Sequence, residues 1–430
     1  MTRRDLLLKA LRPGVSIKRW LVLSIFGVIV VVLGTVVIDW TYLSSAITKT
    51  LADFINNIAM NQALPDWFVP TIGWVLIVIG LVVVVYGASQ MVVSMIPLFI
   101  SGRRTNNSNN NPKIVVIGGG SGTYPVLRAM RILEANVSAI VTVADSGGST
   151  GILRDELSIL ATGDIRRCLL ALSEQPLLDK IMRYRFAKNS SLSDHSMGNL
   201  MLASLTLQEG DFAEAVYKMS KLLCAKGSVI PFTIDNVSLC AKYEDDTIVS
   251  GEANIPKSRK NIKKVFFNPP YAKPFVRALE TIADADVIII GPGSLFTSIM
   301  PILLLAPIVD TIRRSSATKI YIGNIMTEPG ETTGYKIDDH IQAIVNHTGV
   351  DFFDKILVSN SIIDKEILGN YRANGDSVPV DFSKVKDDER FIVADLAEIS
   401  NGTLRHSETS LARALKPFIK KTKYDYRSRI

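Results

Sequence analysis

The sequence predicts an α/β protein with a parallel sheet, an inserted hairpin, and two apolar helices ahead of the sheet. Two patterns support this prediction. Apolar strand candidates alternate with helical patterns from Lys113 onward, and two long uncharged stretches precede them. In addition, glycine-rich turns follow several strand candidates, as they do in Rossmann-like nucleotide-binding sheets. The 430 residues suffice for a large core.

The two uncharged stretches, residues 20–38 and 67–102, are each as long as a membrane span, which needs about 20 residues. We therefore expect a basic N-terminus (1–19), a two-helix transmembrane anchor (20–102) and a polar linker (103–112). A Rossmann-like domain (113–420) and a basic tail (421–430) complete the chain. A cleaved signal peptide is the alternative for the first stretch, and it would still leave the second span in the membrane.

Of the net charge of +7, residues 1–104 carry +5, and their basic residues flank the two stretches. The positive-inside rule then predicts a cell-membrane protein with two spans, whose N-terminus and main domain are cytoplasmic. The remaining +2 argues against a nucleic-acid partner, which would need a basic face. Three widely spaced cysteines without a zinc or disulfide pattern suit reduced thiols.

The elements of the main domain follow in chain order. Strands are predicted over residues 114–117, 137–143, 286–290, 319–322, 355–358 and 391–394. Helices are predicted over 124–133, 164–173, 177–186, 198–207, 212–223, 274–282, 295–314, 338–346 and 408–419. Residues 237–255, with an acidic turn at 244–246, predict a hairpin inserted into this alternation.

The first glycine-rich turn directly follows the first strand and consists of Gly118, Gly119, Gly120, Ser121, Gly122 and Thr123. Glycines let backbone N–H groups approach an anion, and the helix that follows adds the partial positive charge of its N-terminus. Asp145 ends the second strand, where a dinucleotide fold places an acid on the ribose hydroxyls. No lysine follows the glycines, so a Walker-type NTPase is not supported.

Further loops with small or charged residues follow, and each could alternatively be a plain turn or a surface ion pair. Arginine suits phosphate oxygens through bidentate hydrogen bonds, and Asp145 and Asp164 are candidates to hold Mg²⁺ on a diphosphate. Ligands sit beyond the carboxyl ends of parallel strands, so these loops predict one composite pocket. The additional candidate residues are Ser146, Gly147, Gly148, Ser149, Thr150, Asp164, Arg166, His195, Asn199, Gly291, Gly293, Ser294 and Asn324.

Several strings occur in a family-specific order: VIGGGSGTYPVLRAM, VTVADSGGSTG, LRDEL, GDIRRCLLALSE, HSMGNLMLASL, GPGSLFTSIMPILLL and NIMTEPGET. Residues 113–359, and more weakly the tail, resemble the bacterial gluconeogenesis factor family, also called YvcK-like. That family is similar to the CofD-like 2-phospho-L-lactate transferases, which build a deazaflavin coenzyme. The resemblance implies a Rossmann-like fold, binding of a UDP-sugar such as UDP-N-acetylglucosamine, and support of cell-wall synthesis and cell shape.

Carried over by motif, the resemblance places residues 118–123, 145–150, 199, 291–294 and 324 along the nucleotide-sugar. Two positions depart from the family. Ser146 stands where a second Asp is more usual, which weakens the case for metal-assisted transfer. Phe296 stands where Tyr is more usual, which implies that one hydroxyl contact is missing. The two N-terminal spans are absent from the usual members.

Two functions are therefore expected. The first is a membrane-tethered UDP-sugar sensor without catalytic residues, which acts as a homo-oligomer and contacts envelope-synthesis proteins. The second is a transferase that moves a phospholactyl-type group from a nucleotide donor to an alcohol such as a deazaflavin. A nicotinamide-dependent oxidoreductase is a third, weaker alternative, because the glycine-rich turn and Asp145 also fit that chemistry.

Overall fold

The computed structural model describes residues 23–36, 68–102, 111–187, 190, 192–373, 377–385, 388–400 and 402–419. The chain divides into two compact units, Met1–Asn109 and Asn110–Ile430. The predicted N-terminus 1–19 and the tail 421–430 lie outside the described residues, as does most of the linker 103–112.

The first unit contains two apolar helices, α1 (Leu23–Val36) and α2 (Phe68–Gly102). The two apolar stretches with described side chains, Leu23–Val36 and Trp74–Ser89, are each shorter than 18 residues. Among the described residues, then, no single helix has the combined length and apolarity to cross a bilayer by itself. The two predicted spans stay a prediction.

The second unit is built on a seven-stranded sheet with the order β10-β9-β8-β7-β1-β2-β3, in which all neighbouring strands are parallel. Every residue of β1 after Lys113 is buried, so helices and loops cover both faces of this central strand. The prediction of a Rossmann-like parallel sheet is confirmed. The strands are β1 (Lys113–Gly118), β2 (Asn136–Val141), β3 (Ser228–Pro231), β7 (Val287–Ile290), β8 (Thr318–Ile322), β9 (Lys355–Ser359) and β10 (Phe391–Ala394).

Helices connect and cover these strands. They are α3 (Gly120–Ile132), α4 (Gly148–Leu157), α5 (Gly163–Leu172), α6 (Pro176–Arg183), α7 (Met197–Glu209), α8 (Phe212–Leu222), α9 (Val276–Ala283), α10 (Met300–Leu303), α11 (Ala306–Arg314), α12 (Ile337–Thr348), α13 (Lys365–Ala373) and α14 (Glu408–Ile419). The prediction of one helix over 295–314 is wrong. A π-helical turn at Leu295–Ile299 leads into α10, and the path then bends by 77° before α11.

The inserted hairpin is present as β4 (Ser238–Tyr243) and β5 (Ile248–Ser250), paired antiparallel. A third strand that the sequence analysis missed, β6 (Ile262–Asn268), pairs with the other edge of β4. The analysis also missed β3, α13 and a C-terminal antiparallel hairpin of β11 (Ala397–Ser400) and β12 (Thr403–His406). β3 is short and ends in Pro231, whose missing N–H suits a sheet edge.

A buried polar pair joins the sheet to α12. The Tyr321 hydroxyl on β8 lies 3.1 Å from His340 Nδ1, and both residues are fully buried. Burial lowers the pKa of His340 to about 4, because the charged imidazolium would lose its hydration. The pair therefore requires a neutral imidazole.

We predict that the free energy of unfolding falls as the pH drops from about 6.5 toward 4. The unfolded histidine takes up a proton in that range while the folded one resists it. The variant His340→Gln keeps a partner for the tyrosine but does not titrate. Its stability loss between pH 8 and pH 5, measured by denaturant unfolding, should be smaller than that of the unaltered chain by on the order of 1–2 kcal/mol. Equal losses would contradict the account.

Candidate functional site

Four loops meet at the carboxyl edge of the main sheet. Strands β8, β7, β1 and β2 are neighbours, and the chain reverses its direction of travel across the sheet between β1 and β7. In open α/β sheets such a switch point is where ligands bind. A cavity of about 760 Å³ opens here, within the roughly 300–1,000 Å³ typical of small-molecule sites.

The glycine-rich turns after β1 and β7 approach each other backbone to backbone. A Cβ added to Gly122 would lie 2.1 Å from the Pro292 carbonyl oxygen and 2.6 Å from Gly293 Cα. Likewise, a Cβ on Gly120 would lie 2.6 Å from Asp164 Cα at the start of α5. Only glycine permits these approaches, so packing alone already requires glycine at both positions. The predicted helix start at residue 124 is also wrong, because α3 begins at Gly120 within the motif.

The loops after β7 and β8 are held together by polar side chains. Asn324 Oδ1 accepts the Gly293 N–H at 3.1 Å, and its amide group donates to the Gly293 carbonyl at 3.1 Å. Glu331 accepts from the Phe296 N–H at 3.2 Å and from the Thr297 hydroxyl at 2.9 Å. Burial raises the pKa of Glu331 to about 8. Asn324 lines the cavity, but both ends of its amide clamp the neighbouring turn.

Arginines form a positive cluster at the cavity. Arg166, only 5% exposed, lies on α5 and carries Nε with no hydrogen-bond partner. Burial and the nearby charges of Arg167, Arg185 and Arg183 lower the pKa of Arg166 to about 10. It therefore stays charged at neutral pH despite like-charged neighbours. A buried guanidinium in this setting is stabilised by an anion.

Carboxyl groups face the same cavity from three elements. Burial and the charge of Asp145 raise the pKa of Asp164, although Asp164 Oδ1 accepts from Arg167 at 3.0 Å. On the inserted sheet, burial and the charges of Asp145 and Asp164 raise the pKa of Glu252 to about 7. Burial also raises the pKa of Glu328, whose Oε2 has no partner. The cavity thus presents cationic groups beside carboxyl groups whose pKa values are raised.

His195 does not line the cavity, but it contacts Ser149, which does. Its Nδ1 lies 2.9 Å from the Ser149 hydroxyl, and the Asn199 amide donates to the same hydroxyl at 3.1 Å. Asn199 Oδ1 is buried without a partner. His195 and Asn199 orient Ser149, which lines the cavity at the start of α4. The predicted loop 145–150 is therefore in part a helix N-terminus.

The structure brings most predicted site residues to one cavity and leaves others outside its lining. The predicted residues that line it are Ser121, Gly122, Asp145, Gly147, Gly148, Ser149, Thr150, Asp164, Arg166, Asn199, Gly293, Ser294 and Asn324. Those that do not are Gly118, Gly119, Gly120, Thr123, Ser146, His195 and Gly291. Thr123, for example, is fully buried and donates to the Gly119 carbonyl at 2.6 Å.

Sequence reasoning missed a wall of the cavity that comes from distant segments. Tyr371 on α13 and Arg405 on β12 both line the cavity, and the Leu404 N–H donates to the Tyr371 hydroxyl at 2.8 Å. No strand-to-glycine pattern marks these positions. Arg167 also lines the cavity, and it directly follows the predicted site residue Arg166 in the sequence. The other missed lining residues include Arg185, Glu252, Ser298, Glu328, Ser377 and His406.

The two departures from the resembling family have local explanations. The Ser146 hydroxyl accepts the Ala253 N–H at 3.2 Å and so ties the loop after β2 to the inserted sheet. The Phe296 ring is 1% exposed and meets Tyr335 and His347 edge-on. Neither residue lines the cavity. Residue 296 is therefore part of the core, and Phe296 offers no hydroxyl to the cavity.

The fit of Mg²⁺ rests on Asp145 and Asp164. Asp145 Oδ1 accepts the Gly147 N–H at 2.8 Å, and Asp164 is paired with Arg167. Across the described ranges, no three carboxylate, histidine or cysteine side chains are grouped to hold a metal ion. A bound Mg²⁺ would take its other ligands from a diphosphate and water, as this ion commonly does.

We predict that Gly122→Ala destabilises the fold by more than about 2 kcal/mol, because the new methyl group would push the turns after β1 and β7 apart. The matched control is Gly369→Ala on α13, where an added Cβ meets nothing within 4 Å. It should change stability by less than about 1 kcal/mol. Denaturant unfolding measures both, and a neutral Gly122→Ala would contradict the close approach.

Comparison with known proteins gives a consistent result. The family model for 2-phospho-L-lactate transferase CofD matches residues 114–397. The gluconeogenesis factor of Halalkalibacterium halodurans is 44% identical over 299 residues, 69% of this chain and 93% of that protein. The gluconeogenesis factor of Bacillus subtilis is 42% identical over 305 residues, 70% of this chain and 96% of that protein.

Two further matches show how much of the chain related proteins cover. A relative from Nostoc is 38% identical over 427 residues, covering 95% of this chain and 91% of its own. A crystal structure of a Bacillus halodurans protein superimposes with a TM-score of 0.68 at 44% identity, over 71% of this chain and 100% of that one. The fold, the cavity and these relatives agree, and the chain belongs to the gluconeogenesis factor family, with a CofD-like domain.

Proposed function

We propose that this protein binds a UDP-sugar, such as UDP-N-acetylglucosamine, at the switch-point cavity and so supports cell-wall synthesis and cell shape. The observation that carries the proposal is Arg166, a buried and charged guanidinium with a free Nε among three other arginines. Asp164 already pairs with Arg167, and a diphosphate would balance the remaining positive charge of this cluster. The start of α4 beside it adds backbone N–H groups for the same anion.

The remaining walls suit the other parts of such a ligand. Unpartnered acceptors at Asn199 Oδ1 and Glu328 Oε2 match hydroxyl and N–H donors of a sugar or a base. Tyr371 offers an aromatic ring, and the exposed Arg405 offers a second cation. Tyr371 and Arg405 belong to α13 and β12, which are joined by the hydrogen bond from the Leu404 N–H to the Tyr371 hydroxyl. Binding would then be transmitted to partner proteins of envelope synthesis, and the protein acts as a homo-oligomer.

Membrane tethering through the first unit is part of the proposal. Gly27 and Gly80 let α1 and α2 approach closely, since a Cβ on Gly27 would lie 2.9 Å from the Gly80 carbonyl. Small residues at such crossings are typical of helices in bilayers. Outward-facing side chains are apolar, including Phe26, Trp74 and Val85, each at least half exposed. With basic residues flanking the pair, the N-terminus and main domain face the cytoplasm.

We expect calorimetric titration of residues 110–430 with UDP-N-acetylglucosamine to show saturable binding. Arg405→Ala should weaken the affinity by about ten- to a hundredfold, because a charge-assisted hydrogen bond contributes roughly 1.5–3 kcal/mol. Arg405 is exposed, so folding is unaffected. The matched control, Arg413→Ala on the surface of α14, should bind like the unaltered domain. Absence of heat at millimolar ligand would rule out the proposed ligand.

A transferase activity is the second candidate, and Glu252 favours it. A carboxyl group with a pKa of about 7 inside a ligand cavity is suited to general base catalysis near neutral pH. Glu252 would take the proton from an acceptor alcohol such as a deazaflavin. The alcohol oxygen then forms a bond to the phospholactyl phosphorus, the bond from that phosphorus to GMP breaks, and GMP leaves.

For this candidate we predict GMP release from a guanylyl-phospholactate donor only when the deazaflavin acceptor is present. The rate should rise with pH through about 7, because the base form of Glu252 is the deprotonated one. Glu252→Gln should lower the rate by about a hundredfold or more. The control Glu244→Gln alters an exposed acid on the same inserted sheet and should leave the rate unchanged. A rate independent of residue 252 would exclude this role.

A further inference from the structure

Helix α6 carries an apolar stripe on its exposed side. Leu177 and Ile181 lie four residues apart on one face of α6, and Tyr184 directly follows its last residue. They are 71%, 40% and 57% exposed, whereas Met182 on the other side is fully buried. The Tyr184 ring meets Phe186 edge-on at 5.3 Å, which extends the apolar surface. A grouped apolar patch of this kind marks a contact site more often than scattered residues do.

Cations flank this stripe. Lys180, Arg183 and Arg185 are exposed within and just after α6, against one partly buried acid, Asp179. Arg183 donates to the Tyr124 hydroxyl at 2.8 Å and lies 5.4 Å from the centre of the same ring. The surface is thus both apolar and positively charged.

We propose that the stripe of Leu177, Ile181 and Tyr184 binds the surface of an anionic lipid bilayer. An apolar face bordered by Lys and Arg is the composition of helices that lie in the membrane interface. The stripe spans eight residues, about 10 Å along the axis. That is small for a stable protein interface, which buries about 800 Å² per partner. It suits three side chains inserted about 5–10 Å into the headgroup region.

Docking through α6 has a consequence for the cavity. Arg185 lies two residues beyond the end of α6 and lines the switch-point cavity. Its guanidinium donates to the Asp194 carbonyl at 2.8 Å, which fixes the segment between the stripe and the cavity. Contact with lipid therefore brings the cavity to the bilayer surface. This inference does not depend on which ligand the cavity takes.

The test uses residues 110–430, because the Bacillus halodurans structure shows that a related domain folds without a counterpart of the first unit. All four tryptophans of the chain precede residue 110. Tyr184→Trp therefore creates a single fluorescent reporter on the stripe. With phosphatidylcholine vesicles that contain roughly a third phosphatidylglycerol, its emission should shift to the blue and saturate with lipid. Tyr271→Trp, at an 81% exposed position off the stripe, should not shift.

Two further sets of variants in the Tyr184→Trp background decide the outcome. Leu177→Ser with Ile181→Ser should weaken partitioning at least about tenfold, because apolar area is lost. Val276→Ser with Ile362→Ser removes two other exposed apolar groups, 65% and 102% exposed, and should change nothing. Lys180→Glu should weaken binding, and high salt should reverse binding to anionic vesicles. The proposal is overturned if the reporter does not shift, if neutral vesicles bind equally well, or if the control pair weakens binding as much. Thermal melts confirm that every variant is folded.

Discussion

The backbone contact between the turns after β1 and β7 is the constraint on which the site depends. Gly122 lies against Pro292 and Gly293 with no room for a side chain, so the two turns form one continuous wall at the switch point. Asn324 then fixes the second turn from β8. Three strands thus hold a single rigid edge, and polar groups on the neighbouring helices converge on it. A looser contact would leave separate turns rather than a cavity.

Positive charge is concentrated at this cavity. Burial and three neighbouring arginines lower the pKa of Arg166, which still stays charged at neutral pH, so an anion bound beside it would relieve their repulsion. The carboxyl groups near it respond in the opposite way. Asp164 and Glu252 have raised pKa values because burial and mutual repulsion disfavour the charged form. Asp164 is nevertheless held by Arg167, and its charge favours the charged form of Arg166.

The sequence predicted the central sheet well because continuous buried runs such as residues 114–117 and 287–290 have one physical interpretation, a strand covered on both faces. It failed at β3, β6 and the C-terminal hairpin, where strands are short or half exposed and their pairing is decided by distant residues. The same limit applies to the site. Glycine turns mark their own position, but the closing wall of Tyr371 and Arg405 comes together only through the tertiary fold.

Residue roles were harder to predict than residue positions. Ligand contact by Asn324 and His195 stays a prediction. In the structure, Asn324 bonds to Gly293 through both ends of its amide, and the His195 ring contacts Ser149. Spacing along a chain identifies which loop a side chain belongs to. It does not show whether its hydrogen bonds point inward to the protein or outward to the cavity.

The inserted sheet meets the main domain at the loop after β2, where Ser146 accepts from Ala253. From there it presents Glu252 to the cavity, whereas the arginine cluster belongs to α5 and to the segment after α6. In the proposed functions, anion recognition would fall to α5 and the segment after α6, and acid–base chemistry to the insertion. Exchange of the insertion alone would then alter the second proposed function and leave the first in place.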